Sequence, residues 1–205
     1  MDTEYEVKFY PVDKAKLRKK LTSAGASLTA PEKQMQRIIF DRKYHPEFIC
    51  DFVRIRDEGS SVTLTAKTHT QTGNMADEKE TEIVVSDYQK AMDIFSAMGM
   101  TPDRFQETLR ESWSLDGCHI DIDTWPGLDT YCEIESDSEE KIELLAQKIG
   151  FDWSTHLVTN PMDMLADLYR IPIKEVLSKA AHLTFVKNPF AGLPKTGVIK
   201  SIHGH

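Results

Sequence analysis

The sequence predicts an α+β protein: a closed eight-stranded antiparallel β-barrel, or tunnel, with flanking helices. Three observations lead there. Eight segments alternate apolar and charged or polar residues with the period of a strand. Most are joined by short turn sequences such as Glu58-Gly59-Ser60, Asp116-Gly117 and Pro126-Gly127. Closing such a sheet on itself removes the unpaired edges it would otherwise present.

The first strand, Glu4-Tyr5-Glu6-Val7-Lys8, places Glu4, Glu6 and Lys8 on one face and Tyr5, Val7 and Phe9 on the other. Pro11 stops it, and Asp13 caps a helix from about Lys14 to Ala24, with Gly25 as its stop. Residues 33–41 form the second strand, with Ile39 and Asp41 on one face. A proline-containing loop leads to Asp51–Asp57, where Arg54 and Arg56 share a face, and then to Ser61–Lys67, where Thr63, Thr65 and Lys67 do. After the polar stretch 69–77, the strand Glu78–Val85 sets Glu80 beside Glu82. Ser86 or Asp87 opens a helix to about Met98, whose Ala91, Ile94, Phe95 and Met98 form a stripe expected in the core.

Phe105–Leu115 is again a strand, with Thr108, Arg110 and Ser112 on one face. Cys118–Thr124 carries Asp121 and Asp123 together, and Tyr131–Glu135 carries Glu133 and Glu135. Ser136 or Ser138 caps a helix ending near Gly150. Pro161 and Pro172 then open two short helices. Residues 182–205, with His203 and His205, are expected to be a loose tail. The division expected is a tunnel domain over 1–170 and a C-terminal helix and tail over 171–205.

A chain of 205 residues with 40% hydrophobic content suits one domain with a packed core. A formal charge of -8 argues against binding a nucleic acid polymer through a broad basic surface. Three cysteines without CxxC spacing argue against a thiolate zinc site and fit a reducing compartment. With no apolar run of membrane-spanning length and no apolar signal region in MDTEYEVKF, a cytoplasmic protein without membrane attachment is expected, as a monomer or homodimer. His45, His69 and His119 have no motif partner for a general-base role.

The charged faces carry the functional argument. Acid pairs lie on the first, late and one central strand, while the bases gather on the middle strands. Enclosed in a barrel, such charges need ligands to offset their desolvation. Carboxylates are hard oxygen ligands for Mg²⁺ or Mn²⁺, and arginines grip phosphate oxygens by paired hydrogen bonds. Both signs in one pocket match a polyphosphate bound with its metal.

Glu4-x-Glu6-x-Lys8 resembles the ExExK motif of the CYTH superfamily, or triphosphate tunnel metalloenzymes. Its members include class IV adenylate cyclases, thiamine triphosphatase and inorganic triphosphatases. Arg54/Arg56, Lys67, Glu80/Glu82, Arg110, Asp121/Asp123 and Glu133/Glu135 follow in order, and the stretch from Asp123 to Glu135 is similar to the family's late Asp…GLGxFxExE run. The resemblance covers roughly residues 1–170. It implies that Glu4, Glu6, Glu133 and Glu135 ligate Mg²⁺ or Mn²⁺, with Asp123 assisting a second metal or orienting water. Glu4, Glu6 and Asp123 are the implied catalytic residues. Lys8, Arg54, Arg56, Lys67 and Arg110 would hold the triphosphate, and Glu80, Glu82 and Asp121 would stand behind them.

Two departures stand out. Asp129 replaces the second late glycine, and Gln34-Met-Gln-Arg37 replaces the histidine-rich segment of some cyclases. The latter favours hydrolysis of a triphosphate, inorganic or organic, over the alternative of making cyclic AMP from ATP. A second alternative is a module that binds polyphosphate or nucleotide without turnover. Arg170 and Lys174 are candidates for the basic residue that some members supply from a C-terminal helix.

Overall fold

The computed structural model describes residues 2–69 and 78–200. Its eight long strands are β1 (Asp2–Phe9), β2 (Ser27–Asp41), β3 (Phe52–Asp57), β4 (Val62–His69), β5 (Glu78–Val85), β6 (Arg104–Leu115), β7 (Cys118–Thr124) and β8 (Tyr131–Ser136). They pair antiparallel in the order β2-β3-β4-β5-β1-β8-β7-β6, and β2 pairs β6 as well. The sheet therefore curls round until its two ends meet.

One seam keeps it from being the closed tunnel expected. β1 pairs β5 at three positions, Asp2↔Glu80, Thr3↔Lys79 and Glu4↔Glu78. Register is the reason. Asp2 already faces Glu80, so Thr81–Val85 run past the described start of β1, while Tyr5–Phe9 run past the described start of β5. That half of β1 pairs β8 on one side, and on the other Lys8 bridges Leu157. The result is a curled half-barrel, open along this seam.

The apolar faces of the strands point outward and the helices cover them. Helix α1 (Lys14–Ala24) is capped by Asp13, whose Oδ1 accepts from the Lys16 amide at 3.0 Å, and it ends at Gly25 with φ 87°. Its Leu17 and Leu21 join Val7, Phe9, Ile120, Ile122 and Ile134 in a core completed by Ile142, Leu145 and Ala146 of helix α3 (Glu139–Lys148). Helix α2 (Tyr88–Ala97) packs on β3, burying Ala91 beside Ile38, Phe40 and Ile55. The expected core stripe is only half realised there. Ile94 is 61% and Met98 56% exposed, because α2 meets the sheet through Ala91, Met92 and Phe95.

β2 starts at Ser27, six residues before the period-two pattern becomes readable, and its pairing with β6 slips twice between Leu28 and Lys33. Pro31, lacking an N–H for the ladder, lies within that slip.

Helices α4 (Pro161–Tyr169) and α5 (Ile173–Lys179) form a third core with Trp125, Leu128 and Tyr131. Residues 182–200, where a loose tail was expected, pack onto it. The short strand β9 (His182–Leu183) lies parallel to β6, and Phe190 is buried against Tyr169, ring centroids 5.3 Å apart. The Gly197 amide donates to the Leu168 carbonyl at 2.9 Å, and Lys195 pairs with Asp129 at 2.7 Å. A Cβ at Gly197 would sit 1.6 Å from the Asp167 carbonyl oxygen. Gly197→Ala is therefore expected to release this strap, speeding amide exchange over 184–200 while the sheet stays protected. Unchanged exchange there would show that the strap tolerates the extra carbon. His203 and His205 lie outside the described residues.

Candidate functional site

With the apolar residues turned outward, the alternate side chains face a cavity of about 760 Å³ enclosed by the curled sheet, α4 and α5. Glu6, Lys8, Arg54, Arg56, Lys67, Glu80, Glu82, Arg110, Asp121, Glu133 and Glu135 all border it. Strand register determines who meets whom: Glu6 lies opposite Glu135, Lys8 opposite Glu133, and Glu133 opposite Asp121. The side chain of Glu4 lies outside the described residues, as does that of His69.

The acidic side is organised around Arg110. Its Nε donates to Asp123 Oδ1 at 2.7 Å, its terminal nitrogens bond Asp121 and Asp123, and Glu133 lies 3.2 Å away. Burial opposes the charge on Arg110, but these three carboxylates outweigh it and hold its pKa well above the usual range. Burial likewise works against ionised Asp121. Arg110, with hydrogen bonds from His119 (3.0 Å) and Ser112 (2.6 Å), overcomes it and keeps the carboxyl low. Glu133 is held low against burial by Lys8, at 3.2 Å, and by Arg110. Asp123, wholly enclosed, is pushed up by burial despite Arg110.

Asp123 itself does not border the cavity. Both its oxygens are engaged, Oδ2 also accepting from Tyr131 at 3.2 Å, so it orients Arg110 from behind. Glu6 pairs with Lys8. Glu135 is different: burial, then neighbouring Glu133, raise its pKa. No cluster of three or more His, Cys, Asp or Glu among the described residues is drawn together as metal ligands would be.

The basic side is under-neutralised. Arg54 reaches Thr65 Oγ1 at 3.2 Å and Glu82 at 3.5 Å, while Arg56 pairs with Glu58 at 2.6 Å. Lys67 sits 2.7 Å from Glu80. Burial and then Arg56 depress Arg54 to about 10.

Sequence reasoning missed Arg37 and Arg104. Arg37 lies opposite Arg56 across β2–β3, stacks 4.6 Å over the Trp125 ring, and donates to Thr108 Oγ1 at 2.7 Å. It has no carboxylate partner among the described residues. Burial, then Arg54, Arg56 and Arg110, push its pKa well below normal. The Nε atoms of Arg37, Arg54, Arg56 and Arg104, and Trp125 Nε1, are buried donors without an acceptor among the described residues. Four such guanidinium groups on one cavity are what a multiply charged anion would satisfy.

Arg104 borders the cavity and pairs with Asp41 at 2.7 Å; its strand alternation with Gln106, Thr108 and Arg110 was the available clue. Arg37 could have been found from its place two residues before Ile39 on the face shared with Asp41. The suggested C-terminal bases, Arg170 and Lys174, are absent from the cavity wall; α5 turns Ile173 and Leu177 to it instead. His119 does line the cavity, through its contact with Asp121.

A family model described as the CYTH domain matches residues 2–157. Among solved structures, the fold is similar to a candidate adenylate cyclase from Vibrio parahaemolyticus (15% identity, TM-score 0.67, 86% of this chain and 98% of that one). A conserved hypothetical protein from Pyrococcus furiosus is also similar (20% identity, TM-score 0.61, 75% and 94%). So is a candidate adenylyl cyclase from Hippeastrum, described as having a dominant triphosphatase activity (14% identity, TM-score 0.51, 74% and 89%). None of the curated proteins compared with the chain matches it. No helix among the described residues is long and apolar enough to cross a membrane.

Proposed function

Because the chain belongs to the CYTH family, we propose that it is a metal-dependent hydrolase of triphosphates, bound in the cavity of the curled sheet. The observation that carries the reading is that four arginines, Arg37, Arg54, Arg56 and Arg104, border one cavity, each with a buried Nε that has no acceptor among the described residues. Their desolvation is unfavourable in the free protein and becomes useful only when an anion arrives.

In this reading Arg54, Arg56, Lys67, Lys8 and Arg110 hold phosphate oxygens. Lys67 and the two arginines are oriented by Glu80 and Glu82, and Arg110 by Asp121 and Asp123. Such fixed donors lower the barrier by meeting charge where it develops on the transferring group. The acidic side offers carboxylate oxygens, the donor chemistry that suits Mg²⁺ or Mn²⁺. Glu135, crowded by Glu133 and buried, is electrostatically suited to a cation. Glu6, Glu133 and Glu135 would hold the ion, joined by Glu4 on the strength of its place in the motif. Asp123, enclosed behind Arg110, acts by positioning that residue. When bound, the metal supplies charge neutralisation at the phosphoryl oxygens and acidifies a bound water.

The test is phosphate release from tripolyphosphate and ATP with Mg²⁺ or Mn²⁺, products identified, for the native protein and Glu6→Gln and Glu133→Gln. Loss of at least about a hundredfold in kcat/KM with retained circular dichroism is expected. Undiminished hydrolysis in both variants would overturn the assignment, and cyclic AMP as the main product from ATP would replace it with a cyclase.

A further inference from the structure

We propose that His119 supplies a nitrogen ligand to the divalent cation, beside Glu6 and Glu135, and so biases the site toward Mn²⁺ over Mg²⁺. The inference rests on the reading of the cavity as a metal-dependent site. It adds to that reading a residue outside the carboxylate motifs and a preference between the two ions.

Strand register sets the three side chains in one row. Glu135 on β8 has His119 opposite it on β7 and Glu6 opposite it on β1, and all three border the cavity. Directly opposed residues of an antiparallel pair share a face, with Cβ atoms about 4.5–5.5 Å apart. The row is therefore imidazole, carboxylate, carboxylate across three strands, with no lysine or arginine in it. The cations serve the next row along: Lys8 lies opposite Glu133, and Arg110 bonds Asp121, Asp123 and Glu133. Glu6 now pairs with Lys8, and no three such groups among the described residues are drawn together as metal ligands would be. Gathering the row is left to a cation.

The ring of His119 is oriented by an enclosed carboxylate. Its Nε2 lies 3.0 Å from Asp121 Oδ1, and Asp121 is 2% exposed. Ser112 donates to that same oxygen at 2.6 Å, and Arg110 pairs with Oδ2, so the carboxylate is held in place. An Nε2–H given to Asp121 leaves the ring's lone pair on Nδ1. Metal-binding histidines are commonly oriented in this way, the second nitrogen donating to a carboxylate that fixes the tautomer. Asp121 does not need the ring for itself, because Ser112 and Arg110 already engage both its oxygens.

The donor set decides which ion gains. The His119 side chain is 47% exposed, so a cation beside it keeps positions open to water. Mg²⁺ is content with two carboxylates and water and gains little from a nitrogen. Mn²⁺, softer and first in the transition series, accepts imidazole as well as carboxylate. A row of carboxylates alone would not separate the two ions on this ground, whereas one nitrogen among two carboxylates does.

The experiment titrates Mn²⁺ and Mg²⁺ separately into the native protein, His119→Gln and Glu135→Gln, and examines bound Mn²⁺ by electron spin-echo spectroscopy, which detects a directly bonded nitrogen. The hydrogen bond to Asp121 raises the pKa of the His119 ring, so the titrations are run at pH 8. Glutamine keeps an amide N–H for Asp121 while removing the imidazole, and thermal melts verify folding. The native protein should show a nitrogen signal that His119→Gln lacks. That variant should bind Mn²⁺ about tenfold to a hundredfold more weakly, with Mg²⁺ binding altered far less, while Glu135→Gln weakens both ions. A native protein without the nitrogen signal, or a signal that survives in His119→Gln, would overturn the inference; the metal reading stands if Glu135→Gln still weakens both ions. A native protein that binds neither ion, with or without tripolyphosphate, would remove the metal reading and the inference with it.

Discussion

Arg110→Met is expected to destabilise the ligand-free fold by about 3–5 kcal/mol and to reverse the contribution of Asp121 and Glu133 to its response to acid. Arg110 is the shared partner of Asp121, Asp123 and Glu133, which are 2%, 1% and 9% exposed. Without it, Lys8 still faces Glu133 and His119 still faces Asp121, but Asp123 keeps only the Tyr131 hydroxyl. In the native protein Asp121 and Glu133 titrate below their unfolded values, near 4. Their contribution to stability is therefore complete above that pH and is lost as pH falls through the folded values.

In the variant, burial acts with less opposition and lifts the folded values above the unfolded ones. Stability is then fullest below about 4 and is lost as pH rises toward the raised values. Urea titrations at pH 8, 6.5 and 5 distinguish the cases: the variant should gain more stability on acidification over this interval than the native protein, whose Asp121 and Glu133 stay ionised throughout it. A variant as stable as the native protein at pH 8, with the same acid response, would mean that Arg110 is not what compensates these carboxylates.

Much of this arrangement was legible in the sequence because strand alternation is a rigid rule. Once Val7, Ile55, Ile120 and Ile134 are assigned to a core, Lys8, Arg54, Arg56, Asp121, Glu133 and Glu135 must share the opposite face. What alternation cannot supply is the length of each seam. The β1–β5 overlap depends on register, and nothing in Glu4–Lys8 or Glu78–Val85 announces that only three positions pair among the described residues. Nor does it tell a lining residue from one enclosed behind the lining: Asp121 and Asp123 alternate alike, yet only Asp121 borders the cavity. Asp129 shows a third limit. As a departure from the family's glycine it had no evident purpose, and the purpose lies 66 residues on, in Lys195 at 2.7 Å, with Tyr10 at 2.8 Å. The strap containing Lys195 has no periodicity, since its hold on α4 comes from single contacts such as Phe190 on Tyr169 and the close approach of Gly197.

Arg54→Met is expected to raise the melting temperature of the ligand-free protein while abolishing most of its grip on triphosphate. The two effects share one cause. Arg54 is 9% exposed, its Nε has no acceptor among the described residues, and burial together with Arg56 lowers its pKa to about 10. A base depressed in this way has its charged form penalised by folding, so at neutral pH the charge subtracts from stability. Methionine fills a similar space without charge. Glu82, 32% exposed, retains solvent and Arg56 at 3.8 Å, and the Thr65 hydroxyl still donates to Glu82 at 2.6 Å. The net gain should be on the order of 1–2 kcal/mol, within the range for replacing buried ionic groups by apolar ones. Loss of one fixed donor should lower kcat/KM for tripolyphosphate by about a hundredfold to a thousandfold. Melts with and without tripolyphosphate resolve both effects, because a ligand stabilises only in proportion to its occupancy. The native curve should move upward with ligand, and the variant should start higher and stay still. A variant that starts lower would instead make Arg54 a structural member of the Thr65–Glu82 network, with its charge already compensated before any anion binds.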